Sequence, residues 1–220
     1  MGVEETIVCY IFCGGEFTYS KDLFSLPKPD YTIAADSGMY GAITGGFVPD
    51  LFIGDFDSFD FSRLSDENRQ LVNSVPSVRY PVKKDLTDSA IAAQIAVEKG
   101  ADSIYFLGGL GGRLDHTLSN VFLLRALKDR GVSAVIDSGC HAVRYIENEC
   151  CEIKKRYKYI SFFAYSDDAR GVTAEGVEYP LRDAVISRNN PSYAVSNSII
   201  GEKCRISVEN GGLLVVESNE

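Results

Sequence analysis

Carboxylates recur in this chain where the backbone has just left an apolar run or is about to enter a helix. They stand in Asp36-Ser37-Gly38, Gly54-Asp55-Phe56-Asp57-Ser58, Lys84-Asp85-Leu86-Thr87-Asp88 and Gly108-Gly109-Leu110-Gly111-Gly112-Arg113-Leu114-Asp115-His116. Three of these segments follow short apolar runs; the Lys84 segment leads into a helix. In alternating α/β chains, ligands collect at the carboxyl ends of strands. Carboxylates gathered at such an edge repel one another unless a hard cation lies among them. The pattern therefore points to Mg²⁺ and a phosphorylated substrate.

Each motif has a purely structural alternative. In an extended chain, residues i and i+2 face the same side, so Asp55 and Asp57 could reach one cation; the same two residues equally serve a turn. Asp36 suits the N-cap of a short helix. Asp85 and Asp88 suit the positive N-terminus of a helix, with Thr87 as an alternative cap. Lys83 and Lys84 read either as a solvated pair or as a phosphate contact. The segment Gly108–His116 is the most specific. Its four glycines, between a strand and a helix, let backbone N–H groups come close to an anion. Arg113 adds a planar fork suited to phosphate oxygens, and packing alone accounts for neither Arg113 nor Asp115. The segment is not a P-loop, because the chain has no Gly-Lys dipeptide. Nor is it the dinucleotide fingerprint, since Leu114 stands in place of the third glycine. His116 and Asn120 share one face of the helix, and His116 reads as structural.

Composition narrows the class. The 220 residues carry 22 Lys and Arg against 31 Asp and Glu, a net charge of −9. That balance argues against nucleic-acid or anionic-membrane binding, which needs a basic face. The six cysteines form no C-x-x-C pair and suit reduced thiols in a cytoplasmic protein. With two histidines, a zinc site is not expected. Met1–Thr6 fits the loose myristoylation pattern, yet it reads as a polar lead into a strand. No apolar run approaches membrane-spanning length.

The elements needed to position these residues alternate through the first part. Ile7–Phe12, Thr32–Ala35, Leu51–Ile53, Val78–Tyr80, Ser103–Leu107 and Ser133–Ile136 read as buried strands. Asp88–Lys99 and Asp115–Arg130 read as helices closed by Gly100 and Gly131. Leu118, Val121, Phe122 and Leu127 make an apolar stripe expected to pack into the core. The fold class is α/β, a Rossmann-like, mostly parallel sheet with helices on its faces. From Gly139 onward the runs His141–Glu147, Lys158–Tyr165, Tyr193–Ile199, Arg205–Val208 and Leu213–Glu217 predict a small antiparallel β-sandwich. The expected domains are residues 1–139 and 140–220.

Taken in order, the Pro49–Ser58, Lys84–Asp88 and Gly108–Asn120 blocks closely resemble the thiamine pyrophosphokinase family in its bacterial form. Gly171-Val172-Thr173, Tyr179-Pro180-Leu181 and Ala194-Val195-Ser196-Asn197 extend the likeness. The resemblance implies an ATP-binding catalytic domain, a thiamine-binding β domain, and a homodimer with each site shared between subunits. The implied reaction is ATP + thiamine → thiamine diphosphate + AMP. Asp55, Asp57 and Asp88 match the metal site, for Mg²⁺ or Mn²⁺. Asp36, Lys84, Asp85, Thr87, Arg113, Asp115 and Asn120 match positions around nucleotide and phosphates, with Asp57, Asp88, Arg113 and Asp115 as catalytic candidates. Ser196 and Asn197 match the thiamine segment. Some relatives stack thiamine on tryptophan; this chain has none, which leaves either an aromatic such as Tyr193 in its place or a β domain that holds the substrate differently. The rival readings are a pterin pyrophosphokinase and a non-catalytic nucleotide or thiamine sensor.

Overall fold

The computed structural model describes residues 6–18, 26–57, 59–81 and 85–219. The chain divides into two compact units, Met1–Gly139 and Cys140–Glu220.

The first unit begins with β1 (Val8–Phe12) and β2 (Tyr31–Ala35), followed by α1 (Gly38–Thr44) and β3 (Leu51–Gly54). Next come a 3₁₀ turn at Phe61–Arg63, α2 (Asp66–Ser74), β4 (Ser77–Arg79) and α3 (Asp88–Glu98). The unit closes with β5 (Ser103–Leu107), α4 (Leu114–Lys128) and β6 (Ser133–Asp137). Its strands lie in the order β4-β3-β2-β1-β5-β6, and every adjacent pair is parallel. Parallel strands covered on both faces read as unbroken apolar runs, and all five residues of β1 are buried. The direction of travel reverses between β1 and β5. Such a switch point opens a crevice at the carboxyl ends of the two strands.

The helices that matter for the site are capped locally. The Thr87 hydroxyl accepts from the Ala90 N–H at 3.3 Å and so fixes where α3 begins. At the far ends, Gly100 and Gly131 take φ of +86° and +79°, left-handed turns that glycine adopts without strain. In α4 the buried face is Asn120, Leu124 and Leu127. The expected packing of Leu118 and Phe122 into the core is therefore corrected: both are exposed, as is Leu114. Two apolar rows run along this helix, and the sheet covers one.

The second unit contains β7 (His141–Glu147), β8 (Cys150–Lys154), β9 (Tyr159–Ala164), β10 (Ala169–Glu175), β11 (Leu181–Ile186), β12 (Lys203–Ser207) and β13 (Gly212–Ser218). They form two antiparallel layers, β7-β13-β9 and β11-β10-β12-β8. Ile146, Phe162 and Val215 from one layer and Val172, Ile186 and Ile206 from the other share one core. This is a β-sandwich. Tyr193–Ile199, expected as a strand, is a turn tied down by isolated bridges from Asn197 to Ile160 and from Ile199 to Val177. Among the described residues, no helix is long and apolar enough to cross a membrane.

Phe162 is 0% exposed at the centre of the sandwich. Phe162→Ala is expected to cost about 3–5 kcal/mol, read as a lower urea midpoint for loss of β-sheet signal. An unchanged midpoint would contradict the packing described.

Candidate active site

A cavity of about 560 Å³ opens at the switch point. It is lined by the turn after β1 (Cys13, Gly14, Gly15), the end of β2 (Ala35, Asp36, Ser37) and the turn after β3 (Asp55, Asp57). The start of α3 (Asp85 to Ser89), the glycine segment after β5, and Arg113, His116 and Asn120 complete it. Of the sequence-predicted residues of this unit, Asp36, Asp55, Asp57, Asp85, Thr87, Asp88, Arg113 and Asn120 all line this one space. Lys83 and Lys84 lie outside the described residues.

Carboxylate oxygens of Asp36, Asp55 and Asp57 lie within 4.8 Å of one another. The backbone bends sharply to bring them together. Asp36 and Phe56 take φ of +47° and +63°, and Gly54 takes +151°. A side chain at Gly54 would strike the Asp36 carboxylate. Asp36 is not the N-cap that its position suggests. Ser37 holds that place, without a side-chain bond, while Asp36 Oδ1 accepts from the Phe56 N–H at 3.0 Å. Asp55 Oδ1 accepts from the Asp57 N–H at 3.0 Å. The turn and the shared cluster, offered by the sequence as alternatives for Asp55 and Asp57, are thus one feature.

Burial, and then the nearby charge of Asp88, push the Asp36 carboxyl up to about 6; the Phe56 N–H opposes this and Asp55 and Asp57 add to it. Asp36 is half-buried, Asp55 buried and Asp57 exposed; clustered carboxylates in mutual repulsion are a donor set that suits a hard divalent cation, so these residues fit Mg²⁺ or Mn²⁺.

The glycine segment faces the carboxylates, and its carbonyls are held elsewhere. Gly108 O accepts from the Gly15 N–H at 2.9 Å and Leu110 O from the Glu16 N–H at 2.9 Å. Gly109 O accepts from Asn120 Nδ2 at 2.8 Å, and Gly111 O from the Thr117 hydroxyl at 3.3 Å. Four successive carbonyl oxygens are thereby occupied. Among the described residues, none accepts from the N–H groups of Gly109, Leu110, Gly111 or Gly112. Amide donors of this kind at a helix start suit an anion.

Arg113 precedes α4 and forks onto Asp115, Nε to Oδ1 at 3.1 Å and Nη2 to Oδ2 at 2.6 Å. That hydrogen bonding holds the Asp115 carboxyl below its usual range and raises the guanidinium. The Nη1 donors stand outside the pair. Asn120 is buried, and its amide lies between Ser89, whose hydroxyl donates to Oδ1 at 2.7 Å, and Gly109.

Sequence reasoning missed Cys13-Gly14-Gly15, although the turn obeys the same strand-end logic. A side chain at Gly15 would strike the carbonyls of Gly108 and Leu110. Cys13 touches the cavity, but burial pushes its thiol up to about 12, which removes it as a nucleophile. Ser37, Ser89 and His116 were also outside the predicted set.

In the second unit, Ser196 is exposed and holds φ at +60°. Asn197 is buried. Its amide donates to Tyr179 O at 2.7 Å and accepts from the Tyr179 and Ser198 N–H groups at 3.0 and 2.9 Å. Tyr179 and Tyr193 both expose their rings.

Residues 25–136 match the family model for the thiamin pyrophosphokinase catalytic domain, and residues 150–213 match that for the thiamin pyrophosphokinase vitamin B1 binding domain. A curated thiamine pyrophosphokinase of Bacillus subtilis is 31% identical over 191 residues, covering 86% of this chain and 87% of that protein. The crystal structure of thiamine pyrophosphokinase from B. subtilis aligns with a TM-score of 0.81 at 26% identity, over 97% of this chain and 99% of that one. That of Geobacillus thermodenitrificans gives 0.78 at 26% identity, over 98% of each chain.

A carboxyl whose folded-state value is raised from 3.8 to about 6 stabilises the metal-free fold fully below about pH 4 and loses that contribution as pH rises through 6. Metal-free Asp36→Asn should therefore melt above the parent at pH 7, with the gap closing towards pH 4. Equal melting temperatures at pH 7 would remove the repulsion argument.

Proposed function

Because the chain belongs to the thiamine pyrophosphokinase family, and is thus an enzyme of the thiamine diphosphokinase class, we propose that it moves the pyrophosphoryl group of ATP onto the hydroxyl of thiamine at the Asp36–Asp55–Asp57 cavity, in a cytoplasmic setting. The observation that carries the reading is the carboxylate cluster facing the amide donors of the glycine segment across one cavity. In the transfer, a bond forms between the thiamine hydroxyl oxygen and the β-phosphorus. The bond from that phosphorus to the oxygen of AMP breaks, and the hydroxyl proton is released.

Asp36, Asp55 and Asp57 would hold Mg²⁺, with Asp88 beside them in the cavity lining. When bound, the cation neutralises charge on the phosphate oxygens. The N–H groups from Gly109 to Gly112 would receive the phosphates on the opposite wall. Arg113 would clamp the transferring group through donors that Asp115 leaves open, with Asp115 holding the guanidinium plane. Thr87 fixes the start of α3 through its cap, and Asp85 would act from the cavity lining just before it.

For the thiamine side, Ser196 is the exposed member of its segment, whereas Asn197 acts by gripping the Tyr179 peptide. This makes Tyr179, rather than Tyr193, the aromatic best fixed to meet the substrate rings. Association into a homodimer is supported by the exposed row Leu114, Leu118 and Phe122 on α4, since exposed apolar rows favour association; the sharing of sites rests on the family likeness alone.

The decisive assay is AMP release from ATP and Mg²⁺ with thiamine or a pterin alcohol as acceptor. Thiamine-dependent release that disappears with EDTA is expected; release only with the pterin, or undiminished without metal, would overturn the reading. Arg113→Lys, which keeps charge but loses the fork, should lower kcat about 10²–10³-fold in a folded protein. Near-normal kcat would return Arg113 to a solvated ion pair with Asp115. Mixing Asp57→Asn chains with Ser196→Ala chains, each nearly inactive alone, should restore part of the activity. Proven subunit exchange without recovery would mean that each site lies within one chain.

A further inference from the structure

Ser89 has no part in the function described so far, yet it lies at a hydrogen-bonded link between the α3 start and the glycine segment. Its Oγ is 3.1 Å from Thr87 Oγ1 and 2.7 Å from Asn120 Oδ1. Asn120 Oδ1 can only accept, so Ser89 donates to it, and the contact with Thr87 is satisfied by the Thr87 hydroxyl donating to Ser89. The amide then has one permitted orientation, with Nδ2 donating to Gly109 O at 2.8 Å. The donors thus run in one direction, from Thr87 through Ser89 and Asn120 to the glycine segment, an arrangement in which each bond polarises the next.

The two ends of this chain matter for the chemistry. Asp88 lies between Thr87 and Ser89, and Gly109 O is one of the four carbonyls whose capture leaves the neighbouring N–H groups for an anion. Gly109 has no room for a side chain, since a Cβ there would lie 2.7 Å from Ile136 Cγ2. The Asn120 bond holds the oxygen of that peptide, between flanking carbonyls held by Gly15 and Glu16. The Gly109 carbonyl, which can only accept, sets which face of the amide it meets, and the Ser89 hydroxyl, donating to Oδ1, anchors the amide in that position. A flipped Asn120 would present its oxygen to the Gly109 oxygen.

We propose that Ser89 is a positioning residue for phosphoryl transfer: through Asn120 it orients the Gly109 peptide, and it keeps the α3 carboxylate and the phosphate-facing amides in register. This rests on the reading of the cavity as the ATP site. The hydroxyl acts through Thr87 and Asn120 at the wall of the cavity, so its loss should weaken the nucleotide side and spare the thiamine side.

The test is a double-mutant cycle in the full-length enzyme with Ser89→Ala and Asn120→Ala, measured as kcat and as KM for ATP and for thiamine. Ser89→Ala should lower kcat/KM for ATP about 10-fold, leave KM for thiamine unchanged, and have no further effect once Asn120 is Ala. Additive losses in the double variant, equal changes in both KM values, or unchanged kinetics in folded Ser89→Ala would each overturn the proposal. Ser89→Cys, which keeps the volume and weakens the donor, covers the case in which the alanine variant does not fold; the same ATP-selective loss is expected. Absence of thiamine-dependent AMP release in the parent enzyme would instead defeat the assignment of the site. An active parent with an indifferent Ser89 defeats only the role given to this serine.

Discussion

The site depends on a repulsion. Three carboxylates are collected within 4.8 Å at the edge of a parallel sheet, with Asp88 close enough to act on one of them. Nothing in ordinary folding favours that arrangement. The chain reaches it by placing Asp36 and Phe56 in left-handed conformations, which cost on the order of 1–3 kcal/mol each, and by leaving Gly54 without a side chain. The Phe56 ring offsets part of this by packing 4.5 Å from the Phe52 ring. Backbone strain and charge repulsion at one point make sense together if a cation relieves the second and so justifies the first.

The two asparagines of interest, one in each unit, use the same chemistry. Asn120 and Asn197 are both buried, and each offers its amide as a substitute peptide unit, one oxygen accepting and one nitrogen donating. The resemblance placed both among ligand contacts. Their immediate work is to hold another segment still: the glycine segment for Asn120, the Tyr179 peptide for Asn197. A buried amide left half-satisfied is costly, so each fixes its partner with little latitude.

Much of this was legible in the sequence. Strand-end carboxylates, the glycine segment and the helix stops followed from local rules, and the alternating apolar runs gave the parallel sheet and the sandwich. What escaped was decided by non-local partners. The role of Asp36 depends on β3 lying beside β2, so that Phe56 can reach back to it. Leu118 and Phe122 have the spacing of a core stripe, but Leu124 and Leu127 have it too, and only packing chooses between them. Tyr193–Ile199 has strand composition yet is held as a turn by two isolated bridges. The strands β8, β10 and β11 were missed; β10 and β11 pair irregularly, with register shifts between Ala169 and Val172 and again between Val172 and Ala174, whereas β8 pairs regularly with β12.

The capture of four successive carbonyls has a kinetic meaning. A glycine-rich connection would ordinarily sample many backbone states, and closing it around an anion would give up about 1–2 kcal/mol per residue. Here the β1 turn, Asn120 and Thr117 have already frozen the segment. An arriving anion meets a finished surface, so capture can proceed in one encounter without a slower rearrangement behind it. The arrival rate would then follow solvent viscosity and ionic strength rather than loop dynamics.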